Sequence, residues 1–261
     1  MNGAKVRAII EKEIADARKN KMIVISMALL PTLLVAMVLG TAFFMLTSSA
    51  GLDQSDMGII PPELRGIDPK YAFLMMMNDQ YLFYFLLIPM MMPVYIAAYS
   101  IIGEKETKSL EPLLATPIST EELLVGKSLA AALPAVILTW FSFIGLIIGG
   151  YFIMPKPVFL AMIRPVWMVG MALLSPLLAL LSVFSGVIVS SRMNDPRAAQ
   201  QVTGIFVVPI IAFSLVVLAG KVFLSVPMVV LAAAIVLALD CIVLYFAVKL
   251  FQRETILTRW K

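Results

Sequence analysis

GEKETKSLEPLLATPISTEELLVGK, residues 103–127, is the stretch whose reading decides the fold. Eight of its residues are Lys or Glu while the flanks on both sides are strongly apolar, so it reads as a polar elbow between two membrane spans. Glu111-Pro112 and Thr116-Pro117 each push the residue before proline out of the helical region, which puts two backbone corners in the interval. Between the corners, Leu110, Leu113 and Leu114 share a short helical piece. Three leucines in an otherwise charged loop favour burial against something else, and a second protein is the expected cover. After the second corner, Ser119 and Glu122 have the spacing of a capping box, and Glu121 and Glu122 suit the positive end of a new helix. A helix is therefore predicted to restart at about Ser119.

Working outward, the composition agrees with spans on both sides. Of the 261 residues 61% are hydrophobic and 14% charged, and the mean hydropathy is +0.99, values that exclude a soluble domain. The fold class expected is an all-α polytopic membrane protein of about six transmembrane helices. The single Cys241 lies in an apolar run and permits no intrachain disulfide. The chain has no histidine, which removes Ser-His triads and HExxH zinc sites. No catalytic residue, cofactor, metal or nucleic-acid site is indicated.

Residues 1–21 form a charged segment with Val6, Ile9, Ile10, Ile14 and Ala17 at helical spacing, read as a cytosolic amphipathic helix at the membrane surface. Residues 22–250 form the transmembrane domain, with spans at about 22–46, 80–102, 123–152, 165–190, 202–218 and 228–250. The first run is too long for a signal peptide. A polar interval, 47–79, forms the sizeable outer loop, and every span or its start carries a proline. Residues 251–261 form a cytosolic basic tail. Basic residues decide orientation: six precede residue 22, three lie in the elbow, two are Arg192 and Arg197, and four fall from Lys249 onward, 15 of the 20 in all. The positive-inside rule then places both termini and the elbow in the cytoplasm.

Other signals in the chain have plainer readings. Gly126-Lys127-Ser128 matches the end of a phosphate-binding loop, but the glycine required five positions earlier is Glu121, so the tripeptide reads as a loop-to-helix boundary. Gly145 with Gly149, and Ser182 with Gly186, allow close helix approach, within the chain more readily than across a dimer seam. The runs Met75–Met77 and Met90–Met92 read as adaptable packing, because consecutive methionines point to different sides of a helix. Asp240 is the only acid well inside a span; its plain reading is a side chain hydrogen-bonded to a neighbouring helix, its sharper one a cation or proton site.

Three stretches carry a family resemblance in order along the chain. They are Glu11-Lys12-Glu13-Ile14 running on to Asn20-Lys21, the elbow with its Thr116-Pro117-Ile118-Ser119 and Gly126-Lys127, and Ser190-Ser191-Arg192 with Asp195-Pro196-Arg197-Ala198-Ala199-Gln200-Gln201. Together they resemble ABC-2 type permeases, the membrane subunits of ATP-binding cassette exporters of sodium, drugs, lipids, glycans or peptides. The resemblance implies a plasma-membrane transport subunit without its own ATPase, paired with separate ABC ATPase subunits, with a second permease copy or paralogue, and with membrane lipids around it. It also implies that Glu104, Lys105 and Glu106 orient the elbow by charge contacts, while Leu110, Leu113 and Leu114 seat it in an ATPase cleft. The alternative is an ion-coupled secondary transporter or channel using Asp240.

Overall fold

The structure, a computed structural model, describes residues 2–48, 64, 66–106, 118–193, 195–219 and 224–250. Among these residues it is all helical, with six helices or helix runs long and apolar enough to cross a membrane. In chain order, α1 is Gly3–Lys19, α2 Lys21–Thr47, α3 Pro69–Glu106 and α4 Thr120–Ile153. The short α5 (Lys156–Met162) and α6 (Pro165–Val169) lead through a π-helical turn, Gly170–Leu174, into α7, Ser175–Arg192. Then come α8 (Pro196–Thr203), a 3-10 segment (Gly204–Val207), α9 (Val208–Leu218) and α10 (Val226–Leu250).

Several boundaries differ from the sequence reading, each for a local reason. The second span is expected at about residue 80, yet α3 starts at Pro69 and runs 38 residues, roughly 57 Å. Asp68 caps it, its side chain accepting from the Lys70 N–H at 2.9 Å, with Pro69 at the first helical position. Pro89 and Pro93 lie inside α3 without ending it. The loop expected after the fourth span is largely α8, whose first turn is capped by the Asp195 carboxylate accepting from the Arg197 N–H. The bend expected near Pro176 coincides with the π-helical turn. Proline has no N–H for the carbonyl of Ala172 four residues back, and the wider turn absorbs the missing bond. Gly126, Lys127 and Ser128 are not a loop-to-helix boundary; they lie inside α4, two turns past its start.

Helices α3 and α7 form the centre. The best apolar window of α3 is 72% buried and that of the α5–α7 run 61%, against 17% for α2, for the α8–α9 run and for α10. At the heart, Phe143 of α4 stacks on Trp167 of α6 with centroids 5.5 Å apart, and Phe85 of α3 meets both rings edge-on. The peripheral helices present Phe43, Phe44, Phe141, Phe152, Tyr245 and Phe246 outward, a surface too apolar for water and suited to lipid. Two of the small residues serve packing within the chain: a Cβ on Gly149 would run into Leu39 of α2, and one on Gly186 would touch Ala97 and Val94 of α3, whereas one on Gly145 would meet nothing.

Candidate coupling site

The two ends of the elbow are described although its middle is not. Leu110, Leu113 and Leu114, and the side chains of Lys105 and Glu106, lie outside the described residues. The last turns of α3 and the first turns of α4 are side by side, and α1 lies across both.

The capping box expected at Ser119 is present: the Glu122 N–H donates to Ser119 Oγ at 3.2 Å and the Ser119 N–H to Glu122 Oε2 at 3.1 Å. The same Glu122 carboxylate also accepts the Asn2 N–H at 2.6 Å, while the Asn2 side chain caps α1 by accepting from the Ala4 N–H. One acid thus ties together the starts of α1 and α4. Val6 and Ile9 continue the contact as the buried apolar residues of α1. Ile9 lies over Gly126, where a Cβ would come within 2.8 Å of it. Only a glycine lets the two helices approach this closely.

One turn further, the α1 face that buries Val6 and Ile9 also buries Glu13. Its Oε1 accepts from Lys127 Nζ of α4 at 2.9 Å and from Lys12 Nζ at 3.1 Å. Lys12 Nζ also donates to Glu104 Oε1 of α3 at 2.8 Å. Lys127 Nζ donates to Ser100 Oγ of α3 at 2.6 Å and lies 2.8 Å from Glu104 Oε2, an ion pair whose angle falls outside hydrogen-bond geometry. The result is a closed, neutral ring of two lysines and two glutamates joining three helices. Lys127, Glu13 and Glu104 are buried, and Lys12 is half exposed and borders solvent.

Burial pushes the Glu13 carboxyl up, but Lys127, the Ser100 hydroxyl and Lys12 together outweigh it and hold it below its ordinary value. Burial likewise pulls Lys12 down, and its pairing with Glu104 and Glu13 outweighs that, so its ammonium is held above the ordinary lysine value. Buried ion pairs add little net stability over apolar packing, yet removing one partner is expensive because a charge is stranded. Such a ring acts as a register device: α1, the end of α3 and the start of α4 have one low-energy arrangement.

Of the residues singled out in the sequence, Glu104 is therefore turned inward onto Lys12 and Lys127 rather than offered outward. Asp240 lies in the middle of α10, buried, and neither carboxylate oxygen has a hydrogen-bond partner among the described residues. The hydrogen bond expected from a neighbouring helix is not found among the described residues. The sequence reading missed Lys12, Glu13, Ser100 and Lys127. Two signals were there to find. Glu13 follows Val6 and Ile9 at i+7 and i+4, a carboxylate inside the apolar stripe, and Lys127 stands four residues after Leu123 on the inner face of α4.

Six apolar helices and a polar end where an amphipathic helix clamps two spans, with no domain outside the helices among the described residues, define the class of a multi-pass membrane protein. The family described as ABC-2 family transporter protein matches residues 7–230, and the chain belongs to that family. No curated protein matches the sequence. As an ABC-2 membrane permease the chain carries no ATPase domain, and the reading as an ion-coupled secondary transporter or channel falls with that membership.

Proposed function

We propose that this permease is the membrane subunit of an ABC exporter, driven by a separate ATPase that grips the elbow between α3 and α4. The elbow and both termini face the cytoplasm, as the distribution of basic residues favours. Leu110, Leu113 and Leu114 seat in a cleft of the ATPase, and a second copy or a paralogue of the chain completes the path. Glu104 contributes from within, by holding the start of the elbow to α1 and α4.

The observation that carries this reading is the ring of Lys12, Glu13, Glu104 and Lys127. A push on a loose elbow would be absorbed by the loop. With both ends pinned to each other and to α1, the push moves α3 and α4 together. Because α3 packs along most of α7, the displacement reaches the centre of the bundle.

The test is purification of the tagged permease from its own membranes in mild detergent. A co-purifying ABC ATPase whose hydrolysis responds to lipid or ion cargo is the expected result. A permease that comes out alone, and that binds no ABC ATPase encoded beside it when the two are co-expressed, contradicts the proposal.

A further inference from the structure

At the end of the bundle away from the elbow, a second polar site joins α3 to the short helix α5. The Ala161 carbonyl, near the end of α5, accepts from Asn78 Nδ2 of α3 at 2.8 Å and from Arg164 Nε at 3.1 Å. The Arg164 guanidinium in turn pairs with the Asp79 carboxylate of α3. Asn78 is buried, while Asp79 and Arg164 border the surface. Asp79 is the only acid of α3 before Glu104, and Lys156 and Arg164 are the only charged residues from 128 to 191. Roughly 37 Å of helix separates Asp79 from Glu104, more than the ~30 Å hydrocarbon core of a bilayer, so the two polar sites sit at opposite membrane faces.

Helix α5 has the build of a lid. Its 7 residues are too few to hold a helix alone, and both of its ends are proline corners: Met154 before Pro155 and Arg164 before Pro165 are extended. Val158, Ala161 and Met162 are buried, whereas Lys156, Pro157 and Leu160 are exposed. The helix packs on α3 and α4, and Met162 Sδ lies 3.3 Å from where a Cβ on Gly150 of α4 would stand. About two turns along α3 from Asn78, Phe85 meets Trp167 of α6 edge-on, and Trp167 is fully buried. Helix α6 is therefore rooted in the core, while α5 is held by three small or flexible side chains and by the bonds at Ala161 and Asp79. Hydrogen bonds weaken steeply when bent, so a tilt or turn of α3 breaks the contacts of Asn78 and Asp79 together.

We infer that Arg164 is a positioning residue for transport: through Asp79 and the Ala161 carbonyl it latches α5 as a lid over the α3–α4 seam at the face away from the elbow, and movement of α3 releases it. What moves α3 rests on the coupling reading above; the latch itself does not. Released, α5 swings on its proline corners and water reaches Met162. Asp79 and Arg164 are then left at a membrane surface, where water and lipid headgroups satisfy both, so opening strands no charge in hydrocarbon. Such a contact has two tolerable states, which the buried Lys127–Glu13 pair at the other face does not.

The test reads the lid from beneath. The full chain with Met162→Cys and Cys241→Ser is placed in nanodiscs, and the rate at which a water-soluble maleimide labels position 162 is measured. Adding Arg164→Gln is expected to raise that rate at least tenfold, and the charge exchange Asp79→Arg with Arg164→Asp is expected to bring it back within threefold. Hydrogen exchange of the 156–162 peptide in chains that keep Met162 gives the same comparison without the cysteine. The second arm adds the ABC ATPase encoded beside the permease. With Arg164 present, trapping the ATP-bound state is expected to raise labelling at least tenfold over the nucleotide-free complex; with Arg164→Gln the rate is high in both states. Labelling and exchange of Arg164→Gln within threefold of the native latch overturn the inference, and so does a charge exchange no better than the single variant. A bound ATPase whose nucleotide leaves position 162 unchanged also overturns it, because Arg164 would then be a static staple. Should no ATPase bind, the coupling reading fails, and the latch stands or falls on the first arm alone.

Discussion

Lys127→Met is the most informative single change, because of the two cations that bridge both buried glutamates Lys127 is the buried one. The substitution keeps the length and the apolar stem of the side chain and removes only the ammonium. Glu104 then keeps Lys12 at 2.8 Å, and Glu13 keeps the same Lys12 at 3.1 Å, but Lys12 is half exposed and its field is screened. Breaking a buried pair from one side costs about 3–5 kcal/mol, and the surviving Lys12 contacts bring the value to the lower end, roughly 3 kcal/mol. On the other side of the balance, Val6 and Ile9 hold α1 with about 1.5–3 kcal/mol each. Docking of α1 is weakened but not abolished, by a factor on the order of one hundred in its opening equilibrium. The assay is amide hydrogen exchange in detergent or nanodiscs, followed by mass spectrometry of α1 peptides. Exchange in α1 is expected to accelerate by about that hundredfold while the centre of α7 keeps its protection. The triple variant Glu13→Gln, Glu104→Gln, Lys127→Met strands no carboxylate and is expected to recover much of the loss. Exchange of α1 in Lys127→Met within threefold of the native chain would refute the reasoning, as would a triple variant no better protected than the single one.

Other outcomes follow from the same contacts. Gly126→Ala places a methyl group within 2.8 Å of Ile9, an overpacking worth roughly 1–3 kcal/mol, and Ile9→Ala in the same chain, which removes the Cγ2 and Cδ1 contacts but keeps the Cβ one, is expected to relieve only part of it, read by the same exchange measurement. The folded Glu13 carboxyl is held below its ordinary 4.5, so its contribution is present above that pH and is lost as the pH falls through the lower folded value. Lys12 is held above its ordinary 10.5, so its contribution is present below pH 10.5 and is lost as the pH rises through the higher folded value. A spin label at position 10 is therefore expected to keep constant mobility between about pH 5 and 10 and to loosen outside that window; loosening near pH 7 would contradict the assignment. For orientation, single cysteines in a Cys241→Ser background are expected to take an impermeant thiol reagent on intact cells at position 53 and not at position 108.

The spans were legible because a 20-residue apolar run has few other uses, and the start of α4 was legible because Ser119 and Glu122 carry a local, self-contained bonding pattern. The coupling ring was not, and the reason is physical. Glu13, Glu104 and Lys127 belong to three segments, and each alone resembles a solvated charge near a membrane end. Only the docking of α1 turns them inward, and that docking depends on Gly126, whose meaning is the absence of a side chain opposite Ile9. Read by itself, Gly126-Lys127-Ser128 suggested an incomplete phosphate loop or a boundary; packed, it is a close-approach glycine followed by the cation of the ring. The second span was misjudged at its outer end for a related reason. Polar residues such as Asn78, Asp79 and Gln80 look like loop, but the helix passes through them, with the Asn78 side-chain amide donating to the Ala161 carbonyl at 2.8 Å and Asp79 engaged with Arg164.

The central claim is that force enters through the elbow, and its most direct test replaces the apolar anchor there. Leu113→Asp with Leu114→Asp removes roughly 1.5–3 kcal/mol for each leucine that an ATPase cleft would bury, while leaving α1, Glu104 and Lys127 untouched. The permease and its ATPase are reconstituted in liposomes, and ATPase retention and cargo-stimulated hydrolysis are measured together. The account predicts a chain that still inserts and pairs but that loses the ATPase, or hydrolyses ATP without transport. Full retention, full stimulation and full transport by the double variant would contradict it.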